Sequence, residues 1–340
     1  MDNVSFSIIP TTSCDRGCPM CSWDSKPKGV SMSSEMLDEL ASQILRIPGK
    51  KAVFYSGGGE PLLHNYLPIV VKKLLADEEC IVNITTSGCK NKEDTGYSVL
   101  EQISRIRNPR LSVRFSFPAF SLREASSRLK FTLPLIEDIS TVTWMNIVID
   151  WDGSKIAEKT RRKYQRVLRS LGYVCGVDDR EIRGQIKKLG FKMSHPAVLN
   201  LRERWGEWPL GIKEPVVTMD RGKLGVSAGY LVELEVGEVH SEFGRARRIP
   251  ILPEDKTIIP KGYCCSLTEF SVLQIRTDGS IYPCEIQIPE GVESLSIGKF
   301  GEINLAIALQ RAQLAKRQMR ARHFRSERDC QHNCFHCLPS

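Results

Sequence analysis

From residue 6 to about residue 172 the chain alternates short apolar runs with longer segments of helical periodicity, and this alternation constrains its fold most. The apolar runs are Phe6 to Thr11, Lys51 to Tyr55, Cys80 to Thr86, Arg110 to Phe117 and Thr141 to Asp150. Between or after them lie helical patterns over Glu35 to Arg46, Asn65 to Ala76, Thr95 to Arg107 and Lys155 to Leu171, the first behind a capping Ser33 or Ser34. Repeated strand–helix units predict an α/β protein with a parallel sheet and outer helices. In such folds the chemistry collects at the C-terminal ends of the strands.

The first such end carries SCDRGCPMC, which holds Cys14, Cys18 and Cys21 in a C-x3-C-x2-C spacing. Three thiolates in one loop can bind three irons of a [4Fe–4S] cluster and leave the fourth iron open to chelate a ligand. A zinc knuckle is the other reading of such a group. The second strand end carries Tyr55-Ser56-Gly57-Gly58-Gly59-Glu60-Pro61, where consecutive glycines let a ligand approach the backbone.

Taken together, the two motifs resemble the radical S-adenosylmethionine (SAM) superfamily. The resemblance implies a partial (β/α)6, TIM-like barrel over residues 1–250, in which five units can be placed. It implies that Gly58, Gly59, Glu60 and Pro61 hold the amino group of the SAM methionine moiety. Met20, before the third cysteine, takes a position that is commonly aromatic in the family and packs near the adenine. Ser116 sits where relatives bind the ribose or the methionine carboxylate, and Thr85, Ser87 and Asn146 are further lining positions. The implied reaction is reductive cleavage of SAM to a 5′-deoxyadenosyl radical that abstracts hydrogen from a substrate C–H bond, with an external one-electron donor such as flavodoxin or ferredoxin.

Residues 173–240 fit no further short strand–helix unit. They contain a helix pattern over Asp179 to Leu189, Trp205, Trp208 and a ribbon-like run around Val216 to Val226. Both an insertion capping the active site and an elaborated surface fit them. Beyond them, Gly244-Arg245-Ala246 resembles a signature found near the sixth strand of relatives with a C-terminal extension, and Arg245 is suited to pairing with a carboxylate.

Six of the twelve cysteines follow: Cys264, Cys265, Cys284, Cys330, Cys334 and Cys337. Ser271 to Thr277, Asp278-Gly279 and Ile281 to Tyr282 predict a hairpin, and a helix is expected over Ile303 to Arg322. This arrangement over 251–340 resembles a twitch domain, the shorter form of the SPASM extension, which is a small α+β module carrying one auxiliary [4Fe–4S] cluster. Cys265, Cys284, Cys334 and Cys337 are the favoured ligands, with Cys264 and Cys330 as alternates. A zinc site using His332 or His336 is the structural alternative. A cysteine outside both clusters, Cys89 or Cys264 first among them, is a candidate hydrogen donor; Cys80, Cys175 and Cys330 also qualify.

The 340 residues, 41% hydrophobic, can bury a large core. No run is long and apolar enough for a membrane span, and MDNVSFS lacks the features of a secretory signal. Clustered cysteines without such a signal favour metal in the reducing cytoplasm. The formal charge of +8 is concentrated over Arg311 to Arg328, which reads as a solvated helix face. No aromatic interleaving supports nucleic acid as a partner.

The substrate is expected to be a small sugar-, aminocyclitol- or nucleotide-like natural-product intermediate that is oxidised or epimerised. Asp150, Asp152, Asp178 and Asp179 are acidic positions that suit an aminocyclitol, although strand-end and capping use explains them too. Peptide modification is the neighbouring alternative, set back because 13 residues before Cys14 leave no room for an N-terminal recognition domain. A non-catalytic iron–sulfur or zinc protein is the remote alternative.

Overall fold

In the computed structural model of the chain, residues 3–17, 21, 23, 25–106, 108, 110–118, 124, 127, 128, 130–132, 135, 142–149, 232–238, 271–283 and 296–323 are described; at 3, 112, 114–118, 142–149, 232–238, 271 and 316–323 this covers the backbone alone. The chain divides into two units. The first comprises Met1–Gly59, Ala76–Ile81 and Ser241–Ser340, and the second Glu60–Leu75 and Val82–His240.

In the first unit β1 (Asn3–Ile8) runs parallel to both β2 (Lys50–Tyr55) and β7 (Ser271–Ile275), with Phe6 opposite Val53 on one side and Leu273 on the other. β1 ends earlier than its apolar run because Pro10 has no N–H to donate; the last rung is Ile9 N to Ile275 O, 2.9 Å. β7 turns into β8 (Ser280–Tyr282), which pairs antiparallel with β7 and with β9 (Gly298–Lys299). Asp278 builds the hairpin turn. Its carboxylate accepts from Ser280 N at 2.9 Å and from Ser280 Oγ at 2.8 Å, and Gly279 supplies φ +84°. Burial would raise this carboxyl, but the Ser280 bonds outweigh it and hold the group below its usual range.

Helix α1 (Ser34–Leu45) starts where Ser33 Oγ accepts from Met36 N, and it buries Leu37, Leu40, Ala41 and Ile44 on one stripe. The long C-terminal helix, α4 (Leu305–His323), does the same with Leu305, Ala308, Leu309 and Ala312. Gln43 of α1 fastens the start of α4 by accepting from Leu305 N at 2.9 Å. Lys51 is 3% exposed, yet its ammonium bonds Asp77 Oδ2 and the carbonyls of Ile47 and Gly49 at 2.8–2.9 Å. A buried ammonium needs such a set of acceptors.

In the second unit β3 (Cys80–Thr86; Cys80 and Ile81 belong to the first unit), β4 (Leu111–Pro118), β5 (Val142–Ile149) and β6 (Val232–Glu238) pair in that order, all parallel. Helices α2 (Leu67–Leu75) and α3 (Tyr97–Ser104) bury Leu67, Val70, Val71, Leu74, Val99, Leu100 and Ile103. Both are shorter than their sequence patterns. α2 begins at Leu67, with Pro68 in its first turn, where a missing N–H costs nothing. β6 lies within 173–240, the stretch whose sequence fits no further unit. Its alternation of Val and Leu with Glu233 and Glu235 does not look like a parallel strand, and only the ladder to β5, Thr143 opposite Val232 through Ile149 opposite Glu238, identifies it. The patterns at 155–171, 179–189 and 216–226 lie outside the described residues.

The architecture is therefore mixed α/β and rich in parallel pairing.

Candidate active site

The cysteine loop in the first unit is closed at its base. Cys14 N donates to Lys26 O at 2.8 Å, and Thr12 N to Val30 O at 2.7 Å. Gly29 N bonds Ser13 Oγ at 3.0 Å, Val30 N bonds Thr12 Oγ1 at 2.8 Å, and Ser31 Oγ bonds Thr11 Oγ1 at 2.7 Å. Short hydroxyl side chains fill this neck because they can bond backbone groups within their own reach. Cys14 and Cys21 are both half-buried on the loop it closes. Cys18 and Met20 lie outside the described residues.

The glycines after β2 pack directly against that neck. Gly59 N donates to Thr11 O at 2.8 Å, and any Cβ on Gly59 would run into the backbone of Thr12 and Ser13. A Cβ on Gly58 (φ +66°) would meet the Ile9 side chain, and Ser25 Oγ donates to the Gly58 carbonyl. Gly57 (φ +77°) lies under Trp23, whose indole N–H is buried with no hydrogen-bond partner among the described residues. Arg276 of the hairpin stacks on the Trp23 ring at 5.3 Å and on the Tyr282 ring at 4.3 Å. The glycines thus have a packing reason beside the ligand approach expected from sequence: the cysteine loop occupies the space that side chains would need.

Glu60 opens the second unit and is 3% exposed. Its Oε1 accepts from Thr86 Oγ1 at 2.6 Å and from Leu62 N at 3.3 Å. Its Oε2 accepts from Ser87 N at 2.9 Å and Ser87 Oγ at 2.7 Å. A buried carboxylate is stable only when so supplied with donors. Ser87 is a lining position expected from sequence, whereas Thr86 is not. Its partnership with Glu60 spans 26 positions and has no local signal.

Residues 8–131 match the family model described as "Radical SAM superfamily". Over that segment, about a third of its length, the chain is similar to radical SAM domains. Among solved structures it is similar to Streptococcus suis SuiB bound to S-adenosylmethionine, at 11% identity and a TM-score of 0.48, covering 90% of this chain and 65% of SuiB. It is also similar to anSMEcpe with AdoMet and the Cp18Cys peptide (12%, TM-score 0.44, 90% of this chain and 79% of that one) and to BtrN with AdoMet and 2-DOIA (12%, TM-score 0.41, 96% and 92%). The chain spans about two thirds of the length of SuiB. No curated protein sequence matches it.

The remaining sequence candidates fall as follows. Ser116 of β4 pairs in register with Asn146 of β5, and Asn146 with Glu235 of β6, a neighbour that sequence reading did not pick out. Cys80 and Cys89 are both fully buried. Cys89 is held at its peptide groups: its N donates to Thr132 Oγ1 at 2.9 Å, and Thr132 Oγ1 donates to its carbonyl at 3.1 Å. Burial is the setting of a packing residue. Arg245, Cys264, Cys265, Cys284, Cys330, Cys334 and Cys337 lie outside the described residues. No helix among the described residues is long and apolar enough to cross a membrane.

Proposed function

We propose that the chain is a radical SAM enzyme that carries out oxidation or epimerisation at a C–H bond of a small sugar-, aminocyclitol- or nucleotide-like intermediate. The observation that carries the reading is the cysteine loop closed at its neck and seated on Gly57–Gly59, inside the segment that matches the family. Cys14, Cys18 and Cys21 would hold a [4Fe–4S] cluster. When bound, that cluster and SAM supply the electron transfer and carbon radical that open an unreactive C–H bond.

The donor set fits such a cluster. Cys14 and Cys21 are half-buried soft ligands on a loop whose base is fixed by backbone bonds. Trp23 offers a buried indole N–H beside that loop. Gly58, Gly59, Glu60 and Pro61 bind the methionine end of SAM, with Met20, Ser116 and Asn146 lining the remainder and Arg245 pairing with a carboxylate. The chain's own work is to orient SAM and substrate and to exclude water.

Cysteines of the tail, with Cys265, Cys284, Cys334 and Cys337 as the favoured set, would hold one auxiliary cluster, which would supply one-electron chemistry for an oxidation. Cys264 and Cys89 are the candidate hydrogen donors, and burial of Cys89 means that it must become exposed to act.

Anaerobic incubation of reconstituted protein with SAM and dithionite tests the reading through formation of 5′-deoxyadenosine. No product above that of cluster-free protein overturns it. Deuterium transfer into 5′-deoxyadenosine from labelled aminocyclitols, nucleotides or peptides then selects the substrate class.

A further inference from the structure

The carboxylate of Glu60 is fastened by a strap whose other side is tied to one helical segment. Thr86 Oγ1 donates to Glu60 and accepts from Gly88 N at 3.0 Å. Ser87 gives Glu60 both its N–H and its hydroxyl. Gly88 takes φ +68°, which turns the strap after Ser87 and suits glycine.

The carbonyl of Gly88 accepts from Arg128 Nη1 at 3.1 Å, and the peptide groups on both sides of Cys89 are closed by the one hydroxyl of Thr132. Arg128 is 5% exposed and Thr132 fully buried. Residues 124, 127, 128, 130–132 and 135 are helical, so both groups project from one short stretch. Arg128 is itself fixed by Glu124 Oε1 at 2.8 Å and Asp94 Oδ2 at 3.2 Å, and Asp94 Oδ2 accepts from Lys90 N at 2.5 Å. From Glu60 to Thr132, the four residues of the strap are thus each held by side-chain bonds, Thr86 and Ser87 on Glu60, Gly88 between Thr86 and Arg128, and Cys89 on Thr132; all but Ser87 are buried, where each bond counts for more than in water.

We propose that Arg128 and Thr132 are positioning residues for Glu60, acting through Ser87, Gly88 and Cys89 to set the carboxylate against which the SAM amino group binds. The proposal rests on the reading of Glu60 as a SAM contact. Neither side chain touches that ligand site itself. Both work by denying the strap the freedom to turn Ser87 away from Glu60, which would leave the carboxylate under-supplied and misaimed.

The test uses the full-length, cluster-reconstituted enzyme and two readouts, SAM dissociation constant and amide hydrogen exchange over residues 86–90. Thr132→Val and Arg128→Met should speed exchange across the strap and raise the SAM dissociation constant about fivefold or more, whereas Thr132→Ser, which keeps the hydroxyl, should change it less than about twofold. In a Glu60→Gln background the same two substitutions should shift affinity by less than about twofold, because the group they aim is gone.

Faster exchange with unchanged SAM affinity would make the strap a matter of fold alone and overturn the proposal. Equal losses with Glu60 intact and in the Glu60→Gln background would overturn it as well. Failure of the unsubstituted enzyme to bind SAM would instead overturn the reading of Glu60, and the proposal with it.

Discussion

Tyr55 ends β2 with its ring fully buried and its hydroxyl without a hydrogen-bond partner among the described residues. Burial, with Cys80 nearby, pushes the phenol well above its ordinary range. An unpaired buried hydroxyl costs free energy that its ring does not need, so Tyr55→Phe should stabilise the protein by about 1 kcal/mol in urea unfolding. A loss of stability would show that the hydroxyl is satisfied. Glu124 shows the opposite balance. Bonds from Arg128 and then Lys90 outweigh its slight burial and hold its carboxyl at about 2, below the usual 4.5. A depressed folded value means that the group stabilises the fold above the unfolded value and loses that contribution as pH falls towards 2. Because the side chain is half-exposed, solvent screens the effect and it is small. The gap in urea midpoint between the wild type and Glu124→Gln should close between pH 5 and pH 2.5 while staying level from 6 to 8, which titrations at fixed ionic strength would check.

Elements formed where local chemistry and tertiary packing agree. α1 had its cap, its apolar stripe and its length written locally, and the fold keeps them. Ser33→Ala removes the bond from Met36 N and should cost about 1 kcal/mol, read from thermal or urea unfolding. The hairpin was legible too, because Asp278-Gly279 carries its own turn chemistry. β6 was not, since alternating glutamates describe a strand only once β5 lies beside it. The glycine run was legible as a special backbone but not as a packing surface. Gly59→Ala should destabilise the protein by about 1–3 kcal/mol, because its Cβ meets backbone rather than a movable side chain, and it should lower the iron retained on reconstitution. Normal stability and iron content in that variant would show that the loop can shift away from the ledge.

At the scale of the molecule, the two-cluster reading makes a quantitative statement. Anaerobically reconstituted protein should hold about eight irons per chain, and replacement of Cys14, Cys18 and Cys21 together by Ala should leave about four while abolishing 5′-deoxyadenosine formation. Iron analysis and Mössbauer spectra check both numbers. Complete loss of iron in the triple variant would exclude a separate tail cluster, and zinc in the tail would make it a structural site. The partition of the chain bears on such experiments. Residues from both termini belong to one unit, where β7 pairs with β1 and Gln43 caps the start of α4, so truncating the tail would remove part of the sheet that carries the cysteine loop.

The sequence by itself determined what short-range chemistry can write: the strand–helix alternation, the cap of α1, the Asp-Gly turn, the three-cysteine spacing and the glycine run before Glu60. Each is encoded within a few residues, so periodicity and side-chain type suffice to read it. Tertiary structure alone decided which distant groups meet. It put Thr86 and Ser87 on Glu60, Arg128 and Thr132 on the strap behind them, Trp23 over Gly57, and β6 beside β5. The reason is that a buried polar group must find its partner wherever the chain brings one, and sequence separation leaves no local trace of that need.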